Sequence, residues 1–180
     1  VEWDAEAAEK AGYEHFMIKE IHEQPKAVSD TLNSVVKDGA IDLSEVGLSE
    51  EEIKEISQIY IVACGSAYHV GVAAQYVMED LARIPVRVEL ASEFRYRNPI
   101  LDPKGLVIII SQSGETADSL AALRESKKQG VKTLGIKNVI GSSIAREADN
   151  VFYTLAGPEI AVATTKAYST QLIATYTLAI

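Results

Sequence analysis

The sequence predicts an α/β fold, a three-layer sandwich in which helices cover both faces of a five-stranded parallel sheet. Five short runs rich in β-branched and aromatic residues alternate with amphipathic segments in the central and C-terminal parts of the chain. Two of these runs, 59–64 and 105–110, are almost wholly apolar, which is typical of central strands buried on both faces. Doubly wound sheets of this kind bind ligands at the carboxyl ends of their strands, so a site is expected in the loops that follow the strands.

The N-terminal part of the chain is expected to be a linker followed by helices. Residues 1–10 are acidic and alanine-rich, which is typical of a linker or a frayed helix. Residues 12–36 carry apolar side chains at helical spacing. Pro25 is expected to divide this helix, because proline cannot complete the hydrogen-bond ladder. Residues 37–47 have the composition of turns.

The rest of the chain, residues 48–180, is expected to form a ligand-binding domain, with residues 1–47 as its N-terminal linker and helices. Ser49 followed by Glu52 is the signature of a capping box, and it predicts that a helix begins there. The strands are predicted at 59–64, 86–91, 105–110, 132–136 and 150–155. The helices between them are predicted at 67–84, 116–130 and 142–149, and a further helix follows the last strand.

The composition and the charge exclude several kinds of binding partner and cross-link for this chain. The chain has 180 residues, a net charge of −9 and no basic block, so nucleic acid and anionic membrane surfaces are poor partners. The single cysteine, Cys64, excludes an internal disulfide and fits a reducing cytoplasm. No apolar run is long enough to span a membrane. The chain begins at Val1 and stops at Ile180 within an apolar run, and we expect both ends to be cut from a longer protein.

The loop "SQSGET", which begins at Ser111, has the composition of a cradle for a phosphate ester. Ser111, Ser113 and Thr116 offer hydroxyl groups, and Gln112 offers an amide. Gly114 lets the backbone approach a ligand, and the helix that starts near Thr116 adds free N–H groups and the positive end of its dipole. The loop has no lysine, which argues against a triphosphate-binding loop. The simpler alternative is that Ser113 and Thr116 only cap the helix.

Two further polar loops follow strands. The loop "ACGSAYH" places Gly65 and Ser66 at the end of the first predicted strand, from where they could converge on the same crevice. The loop "GPEIAVATTKAYST" follows the last strand and contains Lys166, for which we expect a structural or interface role. Glu115, in "SQSGET", would oppose an anion unless its side chain turns away.

Other reactive residues have simpler interpretations. Cys64 ends a predicted buried strand and is more simply a packed residue than an activated nucleophile. His69 lies one helical turn beyond Ser66 and could reach a ligand, but a surface or structural position is the simpler interpretation. One cysteine and three scattered histidines predict no metal site, and no cofactor is expected.

Several motifs together carry a resemblance to a known family. "SQSGETADS" after an apolar strand resembles the sugar isomerase (SIS) domain, a phosphosugar-binding sandwich of the flavodoxin or Rossmann-like class. "HFMIKEIHEQP", "ASEFRYR" and "GPEIAVATTKAYSTQL" resemble more narrowly the glutamine–fructose-6-phosphate aminotransferase family, also called glucosamine-6-phosphate synthase. The resemblance runs from about Gly12 to Ile180. It implies the linker helices and the first of two SIS domains, truncated in its last helix, in a protein that also has a glutaminase domain.

The resemblance also implies which residues bind the sugar phosphate. The family's residues fall on three sets, one in each loop: Cys64, Gly65 and Ser66; Ser111, Gln112, Ser113 and Thr116; and Val162, Ala163 and Thr164. The hydroxyl groups of the second set would hold the phosphate of fructose 6-phosphate or glucosamine 6-phosphate. This chain departs from the family's pattern at Ala67, which removes a possible donor, and at Lys137, for which no substrate contact is expected.

The family makes glucosamine 6-phosphate and glutamate from fructose 6-phosphate and glutamine, with catalytic residues that match nothing in this chain. The glutaminase nucleophile is an N-terminal cysteine, and the isomerisation residues lie in the second SIS domain. We therefore assign no catalytic residue and expect the isolated chain to bind sugar phosphate without converting it.

Two other functions are compatible with the sequence, and a homodimer is the expected assembly state. The chain could be a stand-alone SIS phosphosugar isomerase or a phosphosugar-sensing module, although its N-terminal fifty residues show no basic helix-turn-helix. A homodimer is expected, because the apolar C-terminal tail would expose hydrophobic surface unless it is buried.

Overall fold

The computed structural model describes residues 9–180, so most of the segment interpreted as a linker, 1–10, lies outside it. The helices are α1 (Phe16–Asn33), α2 (Glu50–Glu55), α3 (Gly65–Leu81), α4 (Ala91–Phe94), α5 (Ala117–Lys128), α6 (Ser143–Glu147) and α7 (Lys166–Ala179). The strands are β1 (Val36–Lys37), β2 (Ala40–Ile41), β3 (Gln58–Ala63), β4 (Val86–Leu90), β5 (Gly105–Ile110), β6 (Lys132–Lys137) and β7 (Asn150–Tyr153).

Five of the strands form one parallel sheet in the order β4-β3-β5-β6-β7, which confirms the predicted α/β fold. Every residue of β5 is buried, as expected of a central strand covered on both faces. The chain passes from β3 to β4 on one side and then returns to β5 on the other side of β3. The strand order therefore reverses between β3 and β5, and this is where such sheets open a crevice at their carboxyl edge.

Each face of the sheet packs against its own set of helices. Alternate residues of β3 and β5, such as Ile61 and Ile108, contact α3, α7 and the N-terminal segment. Their neighbours, such as Val62 and Ile109, contact α4, α5 and α6. The period-2 alternation of strand side chains thus produces the predicted three layers. The short helix α4 was not expected from the sequence.

Helix α1 is continuous through Pro25, so the predicted break is wrong. Proline has no N–H group to donate to the carbonyl of Ile21. The side-chain amide of Gln24 donates to that carbonyl instead, at 3.1 Å. Contacts with α7 also hold the helix, because Lys166 Nζ lies 2.7 Å from Glu23 Oε2 and Ser169 Oγ donates to Gln24 Oε1 at 2.6 Å. These contacts offset the cost of an interior proline.

Two other N-terminal elements can be compared with the expectations. The segment expected to be turns contains the small antiparallel hairpin of β1 and β2. The predicted capping box is confirmed, since Ser49 Oγ accepts from the Glu52 N–H while Glu52 Oε2 accepts from the Ser49 N–H. Within residues 9–180, none of the helices combines the length and the hydropathy needed to cross a membrane.

The C-terminal helix α7 is buried between α1 and α3, so the apolar tail is covered by other parts of the same chain. Ala174 and Ala179 are buried in the core, and Ile180, at the end of the chain, is the exposed large apolar residue of the tail. Helix α1 packs against α7, and α7 in turn packs against α3 and the sheet. The physical reason given for a homodimer therefore does not hold.

The turn from β5 into α5 rests on the turn that precedes α6. Gly114 has a φ of 70°, and a Cβ atom there would collide with the side chain of Ser142. The carbonyl of Gly114 accepts a hydrogen bond from the N–H of Ile144 at 3.1 Å. Position 114 therefore needs glycine for two independent reasons, its backbone conformation and its contact.

We expect Gly114→Ala to destabilise the chain more than Gly130→Ala. Both glycines have a positive φ, 70° and 76°, so alanine costs about 1–2 kcal/mol at either position through the backbone alone. The Cβ atom at position 130 meets no neighbour, whereas the one at position 114 meets Ser142 and adds about 1–3 kcal/mol of overpacking. Urea unfolding measures both losses, and equal losses would contradict the contact.

Candidate functional site

The three polar loops meet at the carboxyl edge of the sheet, around a cavity of about 330 Å³. The cavity lies where the strand order reverses, between the ends of β3 and β5, and the segment before α7 closes it. Its walls are formed by Cys64, Ser66, Ala67, Ile110, Ser111, Gln112, Ser113, Thr116, Glu159, Ala161, Val162, Thr164 and Gln171.

The structure brings together most of the residues that the sequence singled out. The predicted residues that line the cavity are Cys64, Ser66, Ser111, Gln112, Ser113, Thr116, Val162 and Thr164. The other two, Gly65 and Ala163, are exposed and do not form its walls. Gly65 is the first residue of α3 and has a φ of 56°, so its part in the site is to turn the backbone.

Hydroxyl groups in the second loop are arranged around the turn. Ser111 is 4% exposed, and its Oγ lies 3.0 Å from Thr116 Oγ1 and accepts from the Gly114 N–H at 3.1 Å. Ser113 is exposed, and its Oγ accepts from the Glu115 N–H at 3.2 Å. Because that bond uses only an acceptor position of the hydroxyl group, the Ser113 O–H is available to donate to a ligand.

The helices that begin at this edge have no side-chain cap from these residues. Thr116 is the N-cap residue of α5, but its side chain makes no capping hydrogen bond, and the same is true of Cys64 at α3. Ser113 bonds a residue that precedes α5. The alternative that Ser113 and Thr116 only cap the helix is therefore not supported. The positive end of the α5 dipole is open to an anion.

Gln112 is an unsatisfied polar group at the cavity wall. Its Oε1 atom is buried and has no hydrogen-bond partner among the described residues. Buried polar atoms are rarely left unpaired, because desolvation without a partner costs about 1–3 kcal/mol. Gln112 therefore carries an unpaired acceptor just behind the cavity wall.

Glu115 points away from the cavity and toward α6. Its Oε1 accepts from the Ser143 N–H at 2.7 Å. The hydrogen bonds from Ser143 and the charges of Arg146 and Lys137 hold the pKa of the Glu115 carboxyl below its usual value. The condition under which this loop can take an anion, that Glu115 turns away, is thus met.

Glu159 is a cavity residue that the sequence did not single out. Its carboxylate accepts from Thr164 Oγ1 at 2.8 Å, from the Thr165 N–H at 2.8 Å and from the Ala167 N–H at 3.2 Å. It therefore caps α7 from a distance of several residues along the chain. Of the three helices that begin at the cavity, α7 already holds a carboxylate at its N-terminus, whereas α3 and α5 are without a side-chain cap.

Two further residues near the cavity, Gln171 and Glu20, were not identified from the sequence. Gln171 is buried in α7, and the only signal for it was a polar side chain in an apolar run. Glu20 of α1 is 2% exposed, and its Oε1 accepts from the N–H groups of Ile160 and Ala161 at 2.6 and 3.2 Å. Helix α1 therefore fixes the loop that closes the cavity.

The other residues that the sequence singled out are Lys166, Cys64 and His69, and they lie in three different environments. Lys166 is buried in its ion pair with Glu23, which agrees with the expected structural role. Cys64 is half-buried at the cavity wall. His69 is exposed against the edge of Tyr68 and does not line the cavity. Within residues 9–180, no group of three His, Cys, Asp or Glu side chains is placed to hold a metal ion.

A second cavity, of about 640 Å³, lies between α1 and the segment after β7. Its charged side chains are already paired, Lys166 with Glu23 and Lys26 with Asp30. It has no cluster of hydroxyl groups at a helix N-terminus. The smaller cavity is therefore the better candidate for a functional site.

Comparisons with known proteins find a matching family and similar solved structures. Residues 52–180 match the SIS domain family. Two curated relatives, from Caldanaerobacter subterraneus subsp. tengcongensis and Clostridium tetani, are glutamine–fructose-6-phosphate aminotransferases (isomerizing). Each is 61% identical over 181 residues, which include 100% of this chain. The chain spans 30% of the length of each of these relatives.

Solved structures show the same relationship. The C-terminal domain of glucosamine-fructose-6-phosphate aminotransferase from Francisella tularensis superposes with a TM-score of 0.90 at 48% identity, covering 95% of this chain and 48% of that chain. Tagatose-6-phosphate ketose/aldose isomerase from Escherichia coli has a TM-score of 0.74 at 18% identity, covering 95% and 47%, which shows a shared fold alone. The resemblance predicted from the motifs is confirmed, and the chain belongs to the SIS domain family.

Proposed function

We propose that this chain is the phosphosugar-binding part of a glutamine–fructose-6-phosphate aminotransferase. In the complete protein, fructose 6-phosphate and glutamine would be converted to glucosamine 6-phosphate and glutamate. The 61% identity with two curated aminotransferases over the whole chain supports this assignment. The chain itself would supply the binding of the sugar phosphate, because it spans 30% of those relatives.

The observation that carries the proposal is the neutral donor set at the open N-terminus of α5. The hydroxyl groups of Ser111, Ser113 and Thr116 surround a turn without a cation, beside a helix without a side-chain cap. Neutral donors and a helix dipole suit reversible binding of a single phosphate group. A polyphosphate would call for a lysine or a metal ion at the same place.

The other predicted residues that line the cavity would then bind the sugar itself, while Gly65 and Ala163 would only shape the loops that carry them. Cys64, Gly65 and Ser66 lie at the end of β3, next to the phosphate loop, and Val162, Ala163 and Thr164 come from the segment that closes the cavity.

Glu159 supports a second candidate function, a stand-alone phosphosugar isomerase, because it places a carboxylate at the cavity. Glu159 is the carboxylate among the residues that line this cavity. Its oxygens, however, already accept hydrogen bonds from Thr164, Thr165 and Ala167. Both carboxylate oxygens are therefore engaged in holding the start of α7. We therefore keep binding without catalysis as the function of this chain.

The proposal includes the partners expected from the resemblance. Residues 48–180 would be the first SIS domain and residues 1–47 its linker and helices, joined in the complete protein to a glutaminase domain and a second SIS domain. The reaction would take place in the cytoplasm. A homodimer remains part of the proposal, supported by the partly exposed apolar side chains of Tyr13, Met17 and Ile18.

We expect the chain to bind fructose 6-phosphate, and Ser113→Ala to weaken that binding by about 10- to 150-fold. The range corresponds to a hydrogen bond to a charged group of about 1.5–3 kcal/mol. Isothermal titration calorimetry measures both affinities, with inorganic phosphate as a competitor. Ser57→Ala is the matched control, since this exposed serine precedes β3 at the opposite edge of the sheet. Equal affinities for the two variants would contradict the assigned phosphate loop.

We expect no isomerisation of fructose 6-phosphate by the purified chain. A general base must lie within about 2.6–3.2 Å of the proton that it removes, and the carboxylate at this cavity is engaged in capping α7. Proton NMR in deuterium oxide follows exchange at C1 of the sugar, compared with a sample without protein. Exchange that Glu159→Gln abolishes would establish the stand-alone isomerase instead.

A further inference from the structure

Lys137 is a buried cation directly behind the proposed phosphate loop. It is the last residue of β6, and its side chain is 0% exposed. Its Nζ donates to Oγ of Ser142, which is itself 4% exposed. A Cβ atom added to Gly114 would collide with that same serine and lie 3.5 Å from Lys137 Cδ. The lysine side chain, Ser142 and the backbone of the loop are therefore packed in one continuous contact.

Charged and aromatic groups face Lys137 from three elements. Glu115 of the loop attracts the ammonium group, Arg146 of α6 repels it, and the Tyr153 ring of β7 has its centroid 5.3 Å from Nζ. Glu115 is held by the N–H of Ser143, and Arg146 donates to the carbonyl of Gly141 and to Ser143 Oγ. Among the described residues, no carboxylate lies within ion-pair distance of Lys137.

A buried ammonium group without an ion pair is costly, and an anion nearby would reduce that cost. Burial lowers the pKa of Lys137 to about 8, so the ammonium group is mainly charged at pH 7 and loses its charge as the pH rises through about 8. The loop in front of it offers neutral donors only. A phosphate bound in the loop would supply the negative charge that Lys137 lacks nearby. The Lys137 ammonium group would in turn supply the positive charge that the loop lacks.

We propose that Lys137 is a positioning residue that supplies positive charge to the phosphate loop from behind, through Ser142 and the backbone at Gly114, without touching the ligand. The inference rests on the proposed function of the loop. It adds that the affinity for a sugar phosphate depends on the protonation of Lys137. It also explains why a loop without lysine or arginine can hold a dianion.

The sign of the pH dependence follows from the charges. A bound dianion stabilises the charged form of Lys137, so binding near pH 8 takes up protons. Affinity is then highest below pH 8 and falls as the pH rises through that value. A phosphate monoester is a dianion at both pH 7 and pH 9.5, so its own titration does not contribute.

The test compares the chain with Lys137→Met, whose unbranched side chain is one atom shorter and carries no charge. Lys132→Met is the matched control, because Lys132 begins the same strand at the opposite edge of the sheet. Fructose 6-phosphate is titrated by calorimetry at pH 7 and pH 9.5, and at pH 8 in buffers with different ionisation enthalpies. Inorganic phosphate serves as a second probe, and thermal unfolding verifies that each variant is folded.

We expect Lys137→Met to weaken binding at pH 7 by about tenfold, which corresponds to a coupling of about one pKa unit. The parent and Lys132→Met should lose affinity between pH 7 and pH 9.5 and take up protons on binding at pH 8. Lys137→Met should lose both effects.

Binding by Lys137→Met that equals the parent in affinity and in proton uptake would overturn the inference. The proposed function would still stand if Ser113→Ala weakened binding, so the two failures are distinguishable. Absence of binding by the parent would overturn both. Should Lys137→Met fail to fold, the NMR titration of the lysine side chains in the parent replaces it. A lysine midpoint near pH 8 that rises with fructose 6-phosphate supports the inference, and an unchanged midpoint overturns it.

Discussion

The site depends on one contact, the seating of the loop after β5 on the turn before α6. Gly114 allows this contact because it adopts a positive φ and carries no Cβ that would collide with Ser142. The contact turns Glu115 outward to the N–H of Ser143 and leaves the hydroxyl groups of the loop on the cavity side. A bulkier residue at position 114 would move the donors and the carboxylate together. The backbone conformation of Gly114 thus determines where the hydroxyl groups of the loop and the Glu115 carboxylate lie.

Charge around the cavity directs an anion away from the start of α7 and toward the helices whose N-termini lack a side-chain cap. The carboxylate of Glu159 occupies the N-terminus of α7, while the N-terminus of α5 lacks a side-chain cap. Helix α1 takes part from outside, because Glu20 fixes the loop that closes the cavity and Glu23 pairs with the buried Lys166. The motif "KEIHEQ" therefore acts as a structural clamp on the site rather than as part of its chemistry.

The sequence was sufficient for what local pattern controls. The apolar runs of β3 and β5, the capping box at Ser49 and the donor loop from Ser111 all follow from composition and short-range spacing. The sequence was insufficient where the structure depends on contacts between residues without a fixed spacing in the chain. The Gln24 amide replaces the hydrogen bond that Pro25 removes, and α1 covers the apolar tail. Glu159 caps its helix across a loop of several residues, a relation with no fixed sequence spacing.

We propose that the preformed cradle at the β5–α5 turn takes the phosphate. The most direct measurement is an amide NMR titration of the isotope-labelled chain with fructose 6-phosphate. We predict the largest shifts in the amide signals of residues 113–118, with smaller shifts at 65–67. The largest shifts around residues 26–34 and 153–158, which line the bigger cavity, would contradict the claim.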